Sequence, residues 1–361
     1  MISATNHNQE LSTLWGLSLQ PAFCTNCEVA HLIPGKLENT LCPACLSEPL
    51  ERQPSVIRKE PPELMVNFKI SPEQIEMRFK DWVKGIWFRP KELDPNLLSR
   101  RANRTFFPIW LVDGKINGTW QAQMGYDYEV ASSQETYQNG TWKTRKVSET
   151  RIRWEARTGT IDRRYQNLRI PALEEHTWLI NGLGKYELNL ATSYSPLQLD
   201  NALIRVPSLL PESAWPMAKS IFDRYSAKDC QIAAEAQHVD EFIIQADYED
   251  LNWTQLLLPM YTTTYRDEDG TVHSILINGQ SGKIIGMKRA SQRKTRILSL
   301  GLLGTALLCF VLGLLFAVGT TLLPILGFFS LVLFTLAFLL GITAQVQSIW
   351  AWNFNRSQDK S

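Results

Sequence analysis

Four of the six cysteines fall into two Cys-x-x-Cys pairs, Cys24-Thr-Asn-Cys27 and Cys42-Pro-Ala-Cys45, with fourteen residues between them. A Cys-x-x-Cys turn lets two sulfurs approach one tetrahedral ion at about 2.3 Å each, and two such knuckles close the shell. The spacing is close to that of four-cysteine zinc sites. Zn2+ bound by Cys24, Cys27, Cys42 and Cys45 would be structural, because a shell filled by sulfur leaves no position for water or substrate. A reduced or redox-active dithiol is the other reading of such pairs. His31 lies between the knuckles, as a substitute ligand or a surface residue. Cys230 and Cys309 read as small apolar residues.

The first twenty residues lack the basic and apolar regions of a secretory signal. With no export of the N-terminal part expected, paired cysteines point to metal binding rather than to a disulfide framework. A ribbon of about thirty residues buries little core, so the metal would supply its folding free energy.

Signatures of catalysis are missing. The stretch Gly279-Gln-Ser-Gly282-Lys283 has the glycine spacing of a phosphate loop cut short, with Ile284 where Ser or Thr is required. There is no His-Glu-x-x-His and no Gly-x-Ser-x-Gly, and the five histidines are scattered. The expectation is a protein that is not an enzyme, with no small-molecule substrate.

The whole chain has 37 basic and 36 acidic residues, so net charge selects no partner. Locally it is skewed. Lys143, Arg145, Lys146, Arg151, Arg153, Arg157, Arg163, Arg164 and Arg169 stand against Glu149, Glu155 and Asp162, a net of plus six. Such a patch would touch anionic lipid or an acidic partner, bind nucleic acid, or form a solvated strand face.

The elements that must carry these groups divide by composition. After Ile297 an uncharged apolar run extends to Val318, long enough at about 1.5 Å per residue to cross a hydrocarbon core of about 30 Å. A second runs from about Leu322 to Ala344. Lys288, Arg289, Arg293, Lys294 and Arg296 precede the first span, and Arg356 and Lys360 follow the second, which places both ends in the cytoplasm by the positive-inside rule. Neither span holds an ionisable group, so the pair reads as an anchor rather than a pathway. Gly301, Gly304, Gly313 and Gly327 would allow close helix contact.

Between ribbon and spans, the sequence alternates helix and strand signals. Ser71, Pro72 and Gln74 open a helix with a capping box, and Ile75, Phe79, Trp82 and Val83 continue it towards Gly85. Strands follow over TFFPIWLVDG and TWQAQMGYDYEV, and Asn139-Gly140 predicts a two-residue hairpin into a strand reaching about Trp154. One or two more strands are expected between Ile161 and Leu190, a helix from Trp215 to His238, and a final three-stranded meander turning at Asp269-Gly270. Trp82, Trp110, Trp120, Trp154 and Trp253 are expected to fill a β-rich core.

The two knuckles, Ile70 to Pro90, Phe106 to Tyr126 and Leu257 to Gly286 together resemble a family of bacterial zinc-ribbon membrane proteins with two C-terminal transmembrane helices. Some of its members carry TFIIB-type zinc-ribbon or primosomal protein N′-like labels. The resemblance implies partnership with SPFH-domain or phage-shock-type membrane-stress proteins. Glu28 and Leu46 follow the knuckles where ribbons often place glycine.

The reading is a multidomain α+β membrane protein. It comprises a flexible N-terminus (1–20), a zinc ribbon (21–50), a linker (51–64), a mostly antiparallel β-rich domain with a few helices (65–288), a two-helix transmembrane hairpin (289–345) and a tail (346–361). The expected function is a non-enzymatic adaptor that recruits a protein partner to the cytoplasmic membrane. The alternative is a membrane-tethered nucleic-acid binder using the ribbon and the basic stretch.

Overall fold

The computed structural model describes residues 10–35, 42, 45, 48–53, 58–320 and 323–359. A helical segment, α1, covers residues 10–15. Strands β1 (Leu19–Phe23), β2 (Ala30–Pro34), β3 (Glu51–Arg52) and β4 (Leu64–Met65) follow, then helices α2 (Pro72–Trp82) and α3 (Pro95–Arg100). Next come β5 (Asn103–Gln138), β6 (Thr141–Pro171), α4 (His176–Leu183), β7 (Thr192–Ser193), α5 (Pro196–Leu199), β8 (Leu203–Arg205) and α6 (Pro211–Ala233). The chain ends with β9 (His238–Arg266), β10 (Val272–Asn278), β11 (Ile284–Gly286), α7 (Gln292–Gly319) and α8 (Leu326–Gln358).

All these strands belong to one 11-stranded sheet, ordered β11-β10-β9-β5-β8-β2-β1-β3 along its main path. Its spine is β5, whose 36 residues reach up to about 120 Å at about 3.3 Å each. Along one edge β9 pairs antiparallel from Asn103 to Gly125. Along the other, β8 pairs parallel at Thr105 and Phe106, and β6 takes over antiparallel from Ile109. Pro108, which has no N–H to give, falls in the gap between those partners. Past Gly125 only β5 and β6 remain, so residues 126–138 and 141–153 form a two-stranded arm of about 40 Å. Asn139 and Gly140 close it with φ of 51° and 81°, the left-handed pair that a two-residue turn requires.

Several expectations are corrected here. The two strands expected before the hairpin are one strand, β5, and the strand after it runs to Pro171 rather than Trp154. Pairing on both edges lets backbone hydrogen bonds carry the strand through Gly114 and Gly118, which read as breaks in isolation. The strand expected up to Leu190 is replaced by α4, which buries Leu179 and Leu183 and ends at Gly184 with φ of 83°. Residues 10–20 are ordered: Leu11 and Trp15 are buried, and the Trp15 indole donates to Lys59 O at 2.9 Å. Within the expected linker, β3 pairs with β1 and Leu64 begins β4. The ribbon is therefore the end of the sheet, joined through β2 and β8.

The helix at Ser71 forms with both capping-box bonds, and Ile75 and Phe79 are buried beneath it. Helix α6 lays Ala214, Ala218, Phe222, Ser226 and Cys230, each four residues on, against the sheet. Small residues let it approach closely, over a core that includes Trp110, Ile116, Met124 and Tyr165. Trp110 is buried and Trp82, Trp120 and Trp253 are half-buried, but Trp154, at the base of the arm opposite Gly125, is 45% exposed.

Helices α7 and α8 are long and apolar enough to cross a membrane. Only 17% and 6% of their apolar windows are buried, so they are not core helices of the sheet domain. They pack on each other through Ser299, which donates to Ala344 O at 2.9 Å, and Ser330, which donates to Gly313 O at 2.9 Å. Of the glycines expected at this contact, Gly313 lies against Phe334, whereas Gly301 and Gly304 have nothing within 4 Å of an added Cβ. The expected tail from 346 is helical as far as Gln358.

Candidate metal centre

The sulfurs of Cys24, Cys27, Cys42 and Cys45 all lie within 4.8 Å of one another. Cys24 Sγ and Cys45 Sγ are 3.5 Å apart, as are Cys27 Sγ and Cys42 Sγ. These are not disulfide distances, which would be about 2.0 Å. Sulfurs at about 2.3 Å from one tetrahedral ion would lie about 3.8 Å from each other, so the observed set fits a single metal ion.

The first knuckle is built by the backbone. Glu28 N–H donates to Cys24 O at 2.9 Å and Cys24 N–H to Val29 O at 3.1 Å. Glu28 stands where a glycine is common and takes the left-handed conformation anyway, at φ of 56°. In the second knuckle Cys42 N–H donates to Glu48 O at 3.0 Å, and Leu46 lies outside the described residues. Cys24 and Cys42 are buried with Ala22, Ile33 and Leu50. Burial, then the hydrogen bonds with Cys24 and Cys42, push the Cys27 thiol above the usual cysteine range. A central cation would reverse that by stabilising thiolates.

His31 is neither a ligand in this cluster nor a surface residue. It is 2% exposed, on β2 opposite Arg205 of β8. Burial, then the Arg205 charge, hold its imidazole down to about 3, so it is neutral at ordinary pH.

The basic stretch lies along β6 and does not form a free cationic face. Opposite it, β5 brings Asp113, Asp127, Glu129 and Glu135 against Lys115, so the paired strands carry plus three rather than plus six. Arg163 pairs with Asp229 of α6 at 3.2 Å, and Arg164 with Asp250 of β9. Arg153 and Arg157 share Glu155, and Arg151 pairs with Glu149. Lys143, Arg145, Lys146 and Arg169 are exposed. Sequence counting included Glu149 and Glu155 but missed the acids that β5, α6 and β9 bring to the stretch.

The basic residues just before α7 and in its first turns serve partly as struts. Lys288 Nζ lies 5.1 Å from the Trp82 ring centre, Arg289 pairs with Asp359, and Lys294 Nζ donates to Arg89 O at 2.7 Å. Arg293 and Arg296 are exposed. At the helix start Ser291 accepts from Lys294 N–H, and Glu268 of the β9–β10 turn accepts from Ser291 Oγ and Arg293 N–H. A carboxylate there also meets the positive end of the helix dipole.

Fold and site thus define an α+β protein with one large sheet, a four-cysteine cluster able to hold a metal ion, and two long apolar C-terminal helices. Comparison with protein families, with curated proteins and with solved structures finds no match.

Proposed function

We propose that this chain is a non-enzymatic adaptor in the cytoplasmic membrane, with a structural zinc ion on Cys24, Cys27, Cys42 and Cys45. In this reading α7 and α8 cross the lipid and both termini stay in the cytoplasm. The observation that carries it is unpartnered surface of two kinds on one chain. Two apolar helices are exposed along most of their length, and a two-stranded arm projects past its third strand. An isolated hairpin is marginal in water, and this one exposes Tyr128, Tyr137 and Trp142, side chains suited to a protein interface. The resemblance to bacterial zinc-ribbon membrane proteins makes an SPFH-domain or phage-shock-type protein the partner to test first.

Affinity capture from solubilised membranes tests it. The intact chain should recover a stoichiometric protein that is lost when residues 127–152 are replaced by an Asn-Gly turn, and when Cys24 and Cys27 become Ser. Recovery of no stoichiometric partner counts against the adaptor.

One observation favours nucleic acid instead. At the arm tip the Tyr137 and Trp142 rings are 5.2 Å apart beside exposed Lys143, Arg145 and Lys146, a combination that suits stacked bases and phosphates. Three phosphate contacts to a single strand would give a slope of log affinity against log salt of about −2. A salt-independent signal, or none, excludes that reading.

A further inference from the structure

Beneath α4 the sheet holds a cavity of about 190 Å³ whose floor crosses five adjacent strands. His31 of β2 and Arg205 of β8 line one end, with Glu175 from the start of α4. Met260 of β9, Leu276 of β10 and Leu179 of α4 line its apolar part, with Thr105 of β5, Thr262 and Thr263 of β9 and Ser274 of β10 between them. Trp178, at 58% exposed, stands at its mouth.

The polar end is incompletely bonded. Neither His31 Nδ1 nor His31 Nε2 has a hydrogen-bond partner, and neither does Arg205 Nε, although all three are buried. Arg205 uses its Nη2 on Glu175, so the pair cancels in charge. A neutral imidazole offers one donor and one acceptor, and the guanidinium Nε–H offers a second donor. Native interiors rarely leave three such groups unanswered together. The rest of the lining is apolar enough to favour a ligand over bulk water, and a cavity of about 150 Å³ already admits benzene.

We infer that this cavity is a binding site for a small uncharged amphipathic molecule. Its apolar body would lie on Met260, Leu179 and Leu276, and its polar head, carrying both an acceptor and a donor, would bond His31 and Arg205. A charged carboxylate is disfavoured, because the Arg205 charge is already met by Glu175. The inference is independent of the adaptor reading, since it needs neither a protein partner nor a membrane.

The probe is benzamide, a primary amide on an apolar ring. It is titrated by ligand-observed NMR onto the full chain in lipid nanodiscs, with empty nanodiscs subtracted. Saturable binding is expected, at least tenfold weaker for toluene, which lacks the head, and for benzoate, which is charged. His31→Leu should weaken benzamide about tenfold, the loss expected for one buried hydrogen bond. Leu276→Phe, which fills the cavity and leaves the polar end intact, should abolish binding. Metal content and unfolding midpoint establish that each variant is folded. No saturable benzamide binding overturns the inference and leaves a cavity that holds only water. Equal binding of toluene, or binding unchanged in both folded variants, overturns it too.

Discussion

Asn355 near the end of α8 and Ala290 ahead of α7 exchange two hydrogen bonds. Asn355 Nδ2 donates to Ala290 O at 3.1 Å, and Ala290 N–H donates to Asn355 Oδ1 at 2.7 Å. The amide meets both free backbone groups of a buried residue just where the sheet domain passes into the helices. Trp87 stacks on Trp350 at 5.0 Å beside it. The domain is thereby held against the helix pair by side chains as well as by the connecting chain.

Asn355→Leu should leave the Ala290 N–H and C=O buried and unpaired, at a cost of about 2 kcal/mol. Amide hydrogen exchange at Ala290 reads this locally, with an expected acceleration of roughly thirtyfold. Unchanged exchange would mean that the junction is held by other contacts.

The metal centre predicts one zinc per chain and, by X-ray absorption, four sulfurs at about 2.3 Å. Cys42→Ser should reduce occupancy at least tenfold and release β1 and β3 to proteolysis, because the cluster closes that end of the sheet. A nitrogen or oxygen ligand in the spectrum would exclude the four-cysteine shell.

For the helices, the full chain should sediment with membranes and resist alkaline extraction. Leu307, exposed on α7, is a direct probe. Leu307→Arg puts a charge near the middle of the span, costing about 2.5–3.5 kcal/mol of insertion, and should shift a measurable fraction of chains out of the membrane. A full chain that stays in the supernatant without detergent would overturn the anchor.

His31 predicts an acid-labile fold. Its unfolded value is about 6.5 and its folded value about 3, so between those pH values the unfolded chain binds a proton that the folded chain does not. Stability from this group is then flat above about pH 6.5 and falls by about 1.4 kcal/mol per unit as pH drops towards 3. Denaturant unfolding between pH 7 and 5, with metal content checked at each point, should show a loss of about 2 kcal/mol that His31→Leu removes. The same slope in the variant would assign the loss to the thiolates.

Local chemistry was legible without coordinates wherever neighbours in the chain are neighbours in space. The capping box at Ser71, the Asn139-Gly140 turn and the apolar runs of α7 and α8 depend on residues a few positions apart. The cysteine pairs were legible for the same reason, since the two cysteines of each pair are only three positions apart. The continuity of β5 was not, because what carries it past Gly114 and Gly118, through a register shift at Asp113 and Gly114, is pairing with strands tens to more than a hundred residues away.

What the sequence alone determined, then, is the set of short-range devices: four thiols in two closely spaced pairs, two helices with no polar face, and one hairpin. The tertiary structure decided how charge and polarity are shared among distant segments. It brought acids of β5 opposite the basic run of β6, lowering plus six to plus three over the paired strands, and paired Arg163 with Asp229 of α6 and Arg164 with Asp250 of β9. It also carried His31 into the interior beside Arg205 and beneath a helix that read as a strand. Burial and pairing are properties of the sheet, and a sheet joins residues whose separation along the chain carries no signal of their contact.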